Sequence, residues 1–279
     1  MADEQSRRWS RTEVISALAD RRLEFFSVSD LQEALGLTSG QAKKILERLV
    51  DDRQARRIQR GLYALADPAD WHREDESYTN NWYVTAGRLI SPKPYYLAYY
   101  TAMEIHAMLS HPLLTVFAAT TVQKKQVVMA PVRFRFITLS QRRHFGHETR
   151  DVGGEEAVNV ATLERTFIDC VDRPKLCGGL EEIVSGFRRR HHDLQQDRLL
   201  KFVYRLDEST IAKRLGFLLQ TVGYKDEAVL QELEMCGSSL GRYVQLVPGA
   251  VVTQGAWRSK RWGIDVNVPL SDLQRFGTT

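Results

Sequence analysis

Seven residues in the first quarter of the chain have the charge, small size and spacing that suit contact with a polyanion. They are Ser39, Gly40, Lys43, Lys44, Arg56, Arg57 and Arg60. Lysine and arginine donate charged hydrogen bonds to phosphate, and arginine also enters the minor groove of DNA. Small residues at the start of a helix leave its backbone amides open to phosphate. We therefore predict that these residues bind DNA.

Residues 27–66 contain the elements that would position this set. Gly36 predicts the end of one helix, and Thr38 with Gln41 three residues later forms the capping box that begins the next. Phe25 and Phe26 predict a short strand, and Gly61 suits the tight turn of a basic hairpin. The order helix, turn, helix and ribbon is typical of a winged helix-turn-helix, which places its second helix in the major groove.

Spacing within the second helix divides it into two faces. Ala42, Ile45, Leu46 and Leu49 recur at helical spacing and predict a buried stripe, so Lys43 and Lys44 remain outside. The alternative is a small helical hairpin with a solvated basic edge. Residues 38–66 hold seven basic and three acidic residues, a local net charge of +4. Such a local field favours DNA, whereas the formal +4 of the whole chain is too small to require a nucleic-acid partner.

Composition and length limit the class of protein. The chain has 279 residues, of which 43% are hydrophobic and 27% charged, as in ordinary globular proteins. No apolar stretch approaches the roughly 18 residues of a membrane helix, and the polar start predicts no secretory signal. The three cysteines lack zinc spacing and fit reduced thiols, so we expect a cytoplasmic location.

The remaining sequence predicts a larger unit of mixed helices and strands, and hence an α+β fold. We expect a winged-helix domain over residues 1–68, a hinge and lead-in over 69–93, and the α+β domain over 94–279. Residues 95–109 are apolar almost throughout and predict a buried helix. Residues 113–121, 132–139 and 157–160 predict strands, and further helices are expected from Thr162, near 180–190, and over 199–206 and 209–222.

Groups that could carry catalysis are sparse. His106 with His111, and His144 with His147, lack the supporting ligands of a metal site. Arg165 and Asp169 are spaced i, i+4 and predict a structural ion pair, and Cys170 falls on the apolar face of its helix. We therefore expect no enzymatic activity, no metal and no cofactor.

Two alternatives remain open at this point. Arg133 and Arg135, together with residues 188–192, could belong to a nucleic-acid-processing enzyme that a DNA-binding domain targets. The aromatic-rich residues 82–100 could instead line the pocket of a ligand-sensing one-component regulator.

Two motifs in the larger unit resemble those of AbiEi-type antitoxins of the AbiE (type IV) toxin–antitoxin systems. Residues 160–184 contain the pattern E-R-T-x-x-D, a proline and then G-G-x-E-E, and residues 209–223 contain R-L-G-x-L-L. Residues 94–109 resemble the opening of the antitoxin domain, and residues 60–65 resemble the end of the family's winged helix. The chain departs from the family at Lys213, where an arginine is common.

This resemblance implies a repressor that binds inverted repeats of double-stranded DNA in its own promoter. It also implies a second domain that counteracts a nucleotidyltransferase-like toxin, by direct or indirect action. We expect exposed cations of this domain to carry the antitoxin function. They are Arg165, Arg188, Arg189, Arg190, Lys213 and Arg214.

Overall fold

Three helices and a small sheet make up the N-terminal module. The structure is a computed structural model that describes residues 9–72, 81–109, 114–153, 156–239, 241–251, 255–269 and 273. The helices are α1 (Arg11–Asp20), α2 (Val28–Leu35) and α3 (Ser39–Asp51). Ser10, Ser27 and Thr38 cap them in turn, each through a capping box. The winged helix-turn-helix arrangement of elements is therefore present as predicted.

The wing is a three-stranded antiparallel sheet. Its strands are β1 (Phe25–Phe26), β2 (Ala55–Gln59) and β3 (Leu62–Leu65), and their order is β1-β3-β2. Gly61 adopts φ +81° in the turn between β2 and β3, a conformation that glycine reaches at little cost. The predicted short strand at Phe25 is confirmed, and it pairs with β3.

A six-stranded mixed sheet forms the centre of the larger unit. Its strands are β4 (Tyr95–Leu97), β5 (Thr115–Thr120), β6 (Val127–Met129), β7 (Val132–Thr138), β8 (His147–Arg150) and β9 (Val158–Ala161). Their order is β6-β7-β5-β4-β9-β8, with β5 parallel to β7 and β4 parallel to β9. The predicted alternation of β7 is confirmed, because Val132, Phe134 and Phe136 are buried whereas Arg133 is exposed.

The larger unit also contains seven helices among the described residues. They are α4 (Trp82–Ile90), α5 (Tyr99–Ile105), α6 (Leu163–Asp172), α7 (Leu180–Arg190), α8 (Gln196–Leu206), α9 (Ser209–Thr221) and α10 (Glu227–Ser238). Of these, α4, α5 and α6 contact the six-stranded sheet directly. A second small sheet contains β10 (Val244–Gln245), β11 (Trp257–Ser259) and β12 (Ile264–Val266). The helices predicted from Thr162 onward are confirmed, and the fold is α+β.

One expectation for the start of the larger unit needs correction. Residues 95–109, predicted as one helix, divide into β4 and α5, and Tyr99 has φ +56° at the junction. Both pieces are buried, so both are apolar on every side and show no period that would separate strand from helix. The lead-in expected within residues 69–93, where the sequence of residues 78–89 predicts a helix or the lip of the next domain, contains α4. Val84, Leu89 and Ile90 of that helix lie in the core of the larger unit.

The wing sheet lies between two hydrophobic cores. Phe26 and Ala55 belong to the core beneath α1, α2 and α3. Phe25, Ile58 and Ala64 belong to the core of the larger unit. Because successive side chains of a strand point to opposite faces, the two faces of one small sheet serve two different cores.

Candidate nucleic-acid interface

Local signals fix the position of α3. The backbone N–H of Thr38 donates to Gln41 Oε1 at 2.9 Å, and the N–H of Gln41 donates to Thr38 Oγ1 at 3.4 Å. Gly36 ends α2 with φ +66°, a left-handed conformation that suits glycine. These contacts satisfy amides that would otherwise lack partners and set the angle between the two helices.

The outer face of α3 carries the residues predicted to contact DNA. Ala42, Ile45, Leu46 and Leu49 are buried, as the sequence predicts. Gly40, Lys44, Glu47 and Asp51 follow one another along the opposite side of the helix, and all four are exposed. Ser39 is exposed at the first turn. A Cβ atom added to Gly40 would meet nothing within 4 Å, so the first turn presents an open backbone surface.

Lys43 and Arg57 line the same groove. The groove has a volume of about 380 Å³ and lies between α3 and the wing. Val28, Lys43, Leu46, Glu47, Val50, Asp51, Arg57 and Tyr63 line it. No hydrogen bond or ion pair joins Lys43, Lys44 or Arg57 to any residue that the structure describes. The donors of these side chains are therefore directed to solvent or to a ligand.

The three wing arginines occupy different surfaces. Arg57 pairs across the strands with Tyr63 on the side of α3, whereas Arg56 pairs with Ala64, which faces the larger core. Arg56 is half-buried, and Arg60 is exposed at the hairpin turn. The sequence suggested one basic wing surface, but the alternation of β2 separates Arg56 from the groove that contains Lys43.

The larger unit reaches the end of the wing through Lys124. Its Nζ atom donates to Gln59 Oε1 at 3.3 Å, next to Arg60, and lies 5.4 Å from the centre of the Phe136 ring. Partial burial lowers the pKa of Lys124. The absence of any acidic residue from 105 to 147 was the signal that could have marked this basic neighbour of the wing.

Arg165, which we expected to be exposed for an antitoxin function, is buried. Only 1% of its surface is accessible, and its Nε atom donates to Asp169 Oδ1 at 2.9 Å. Its Nη1 atom donates to the carbonyl oxygen of Arg143 at 3.0 Å, and the guanidinium lies 4.8 Å from the Phe145 ring centre. Burial raises the pKa of Asp169, and the Arg165 guanidinium opposes that rise. The predicted ion pair is confirmed, and the expectation of an exposed Arg165 was wrong.

Lys213 and Arg214 are likewise directed into the protein. Lys213 is 5% exposed, and its Nζ atom donates to the carbonyl oxygen of Arg242 at 2.7 Å. Arg214 is half-buried, and its Nε atom donates to the carbonyl oxygen of Gln245 at 2.9 Å. Both side chains therefore join α9 to the C-terminal segment. The expectation that they form an exposed surface was wrong, because that segment covers this side of α9.

Two arginines at the end of α7 donate hydrogen bonds to backbone carbonyl groups that are far away in the sequence. Arg188 Nη2 donates to the carbonyl oxygen of Leu273 at 3.1 Å, and Arg189 Nη1 donates to that of Met108 at 3.1 Å. Arg190 forms an ion pair with Asp193 at 2.8 Å. Arg189 is exposed as expected, whereas Arg188 and Arg190 are half-buried. These contacts connect α7 to neighbouring segments, so the three arginines do not form one open basic patch.

The remaining candidate groups lie in packed or partly packed positions. Cys170 is fully buried, as predicted. His144 and His147 pack against Tyr96, with ring centres 5.0 and 5.1 Å from it. His106 Nε2 lies 2.7 Å from the carbonyl oxygen of Ala161, and His111 falls outside the described residues. Within the described ranges, no group of three or more His, Cys, Asp or Glu side chains could hold a metal ion.

Comparison with known proteins gives a likeness of fold and no family. No family model and no curated protein matches the chain. The crystal structure of the RV2827C protein from Mycobacterium tuberculosis is similar to it, with a TM-score of 0.69 and 15% sequence identity. The likeness covers 97% of this chain and 96% of that one. At such low identity it shows a shared fold over nearly the whole chain. Among the described residues, no helix is both long and apolar enough to cross a membrane.

Proposed function

We propose that the protein is a DNA-binding repressor of its own operon, with α3 in the major groove and the wing beside it. The observation that carries this proposal is the groove shared by Lys43 of α3 and Arg57 of the wing. Lys44 and the open first turn at Gly40 extend the same surface. Cations and accessible helix amides on one surface bind phosphate, while side chains of the first turns meet base edges.

The proposal extends to an antitoxin role, which rests on the sequence resemblance to AbiEi-type proteins. Arg165, Lys213 and Arg214 of the two motifs are buried or hydrogen-bonded inside the larger unit. In this proposal they hold the antitoxin domain in shape, and other exposed residues of that domain act against the nucleotidyltransferase-like toxin.

The double variant Lys43→Ala/Lys44→Ala tests the repressor proposal. Fluorescence anisotropy with duplex DNA from upstream of the gene, at fixed salt, should show an affinity at least roughly tenfold lower than that of the wild type. This estimate assumes that each lost phosphate or base contact costs on the order of 1 kcal/mol or more.

The matched control is Lys201→Ala/Lys225→Ala, which removes the same charge from exposed positions of the larger unit. It should change the affinity far less, because these residues lie outside the proposed interface. Equal losses in both variants would mean that net charge alone governs binding and that α3 is not the recognition helix.

A further inference from the structure

Glu47 is a carboxylate in the middle of a surface that is otherwise suited to a polyanion. It is exposed and lies on the outward line of α3, between Lys44 and Asp51. It also lines the groove with Lys43 and Arg57. No hydrogen bond or ion pair joins it to any residue in the part of the chain that the structure describes. Its oxygen atoms are therefore free to accept hydrogen bonds from a ligand.

A carboxylate on a DNA-facing surface is favourable only where the DNA offers it a hydrogen-bond donor. Phosphate oxygens repel it, so it disfavours any pose in which it lies against the DNA backbone. Base edges in the major groove offer donors, and the amino group at N4 of cytosine pairs with Glu or Asp. Adenine also has an amino group, but its adjacent N7 is an acceptor that repels a carboxylate. Cytosine is therefore the base that fits Glu47.

Position along α3 distinguishes Glu47 from Asp51 as the residue that can contact a base. Glu47 lies seven residues after Gly40, about 10 Å along the helix at a rise of about 1.5 Å per residue. The major groove is about 12 Å wide, so a helix that enters by its first turn can bring Glu47 to the base edges. Asp51 lies about 16 Å from Gly40 on the same scale, which places it outside the major groove of the DNA.

We propose that Glu47 accepts a hydrogen bond from N4 of a cytosine in the major groove and thereby specifies one base of the DNA site. This inference rests on the proposed function, because it requires α3 to occupy the groove. Lys43, Lys44 and the wing provide most of the affinity, and Glu47 provides discrimination at one position.

Selection of bound sequences from a random duplex library, followed by sequencing, tests the inference without a known operator. The wild-type protein should select cytosine at one position. Glu47→Gln should shift that position toward adenine, because glutamine donates to N7 and accepts from the amino group at N6. In competition between the two duplexes, the preference should change by roughly 5- to 150-fold, the range of one good base contact. Glu47→Ala should lose the preference for cytosine and gain none.

Glu33→Gln is the matched control, since it makes the same substitution at an exposed position of α2 that does not line the groove. It should keep the base preference of the wild type. Selection of the same bases by Glu47→Gln and the wild type would overturn the inference and leave the proposed function intact. A wild-type protein that selects no sequence and binds no duplex would overturn both.

Discussion

Arg165 and Asp169 form an ion pair inside the larger core, with each side chain 1% exposed. Asp169 Oδ1 accepts from Arg165, and its Oδ2 atom has no partner among the described residues. Removing two charges from water costs several kcal/mol per ion, so the pair is stable only while both partners remain. The spacing i, i+4 is the same for a surface pair and a core pair. The sequence could therefore predict the contact but not its burial.

Asp169→Asn should destabilise the fold by about 3–5 kcal/mol, because it leaves the Arg165 guanidinium buried without a counter-charge. Urea unfolding measures the change. Asp265→Asn is the matched control. It breaks the exposed pair of Arg258 with Asp265, at 2.7 Å, and should cost no more than about 1 kcal/mol.

The double variant Arg165→Met/Asp169→Leu addresses the case in which Asp169→Asn does not fold. It removes both charges and should be more stable than Asp169→Asn. Equal unfolding midpoints for Asp169→Asn and Asp265→Asn would contradict the argument.

The wing sheet is the element that joins the two units. Ile58 of β2 is 6% exposed and packs in the larger core, although it lies between the basic residues of the wing. Arg88 of α4 extends this contact, with its guanidinium 5.9 Å from the centre of the Phe25 ring. The wing is therefore not a free hairpin, because its two faces pack against the two units. This packing fixes the position of the wing relative to the six-stranded sheet.

Ile58→Ala should destabilise the protein by about 2–5 kcal/mol, the usual cost of truncating a buried isoleucine. Urea unfolding followed by circular dichroism measures it. Arg57→Ala, at the neighbouring exposed position on the other face of β2, should change stability by about 0.5 kcal/mol or less. If Ile58→Ala unfolds at the urea concentration of Arg57→Ala, the wing does not share the larger core.

At the scale of the whole molecule, the proposed interface and the two motifs that resemble those of AbiEi-type antitoxins occupy separate places. The groove of Lys43 and Arg57 is built from α2, α3 and the wing. The first motif spans α6 and the start of α7, the second lies in α9, and α6 packs against α9 within the larger unit. The proposed functions should therefore separate under mutation of surface residues.

Lys43→Ala/Lys44→Ala, expressed as the full chain from a foreign promoter, should lose repression and keep the protection that the proposed antitoxin role predicts against a toxin encoded beside this gene. A promoter-reporter assay measures the first property, and growth on co-expression with the toxin measures the second. The wild type and an empty vector provide the two reference levels. Loss of protection at normal protein abundance would show that protection depends on the DNA-binding surface.

The sequence by itself determined the helices and turns of the N-terminal module. Its signals act over short distances: the Thr38 and Gln41 capping box, the stripe from Ala42 to Leu49, and the turn glycines. Capping and periodicity depend on neighbours within one or two turns, so they can be recognised without knowledge of the rest of the chain. The exposure of Lys43 and Lys44 followed from the same spacing.

Only the tertiary structure decided which charges face solvent in the larger unit and which side of the wing each arginine occupies. Arg165 is buried because α5, α8 and α9 pack around α6, and Lys213 is buried because the C-terminal segment covers α9. The small sheet serves two cores, so Arg56 faces the larger core while Arg57 faces α3. These outcomes depend on segments brought together from far along the chain, and local spacing carries no information about such contacts.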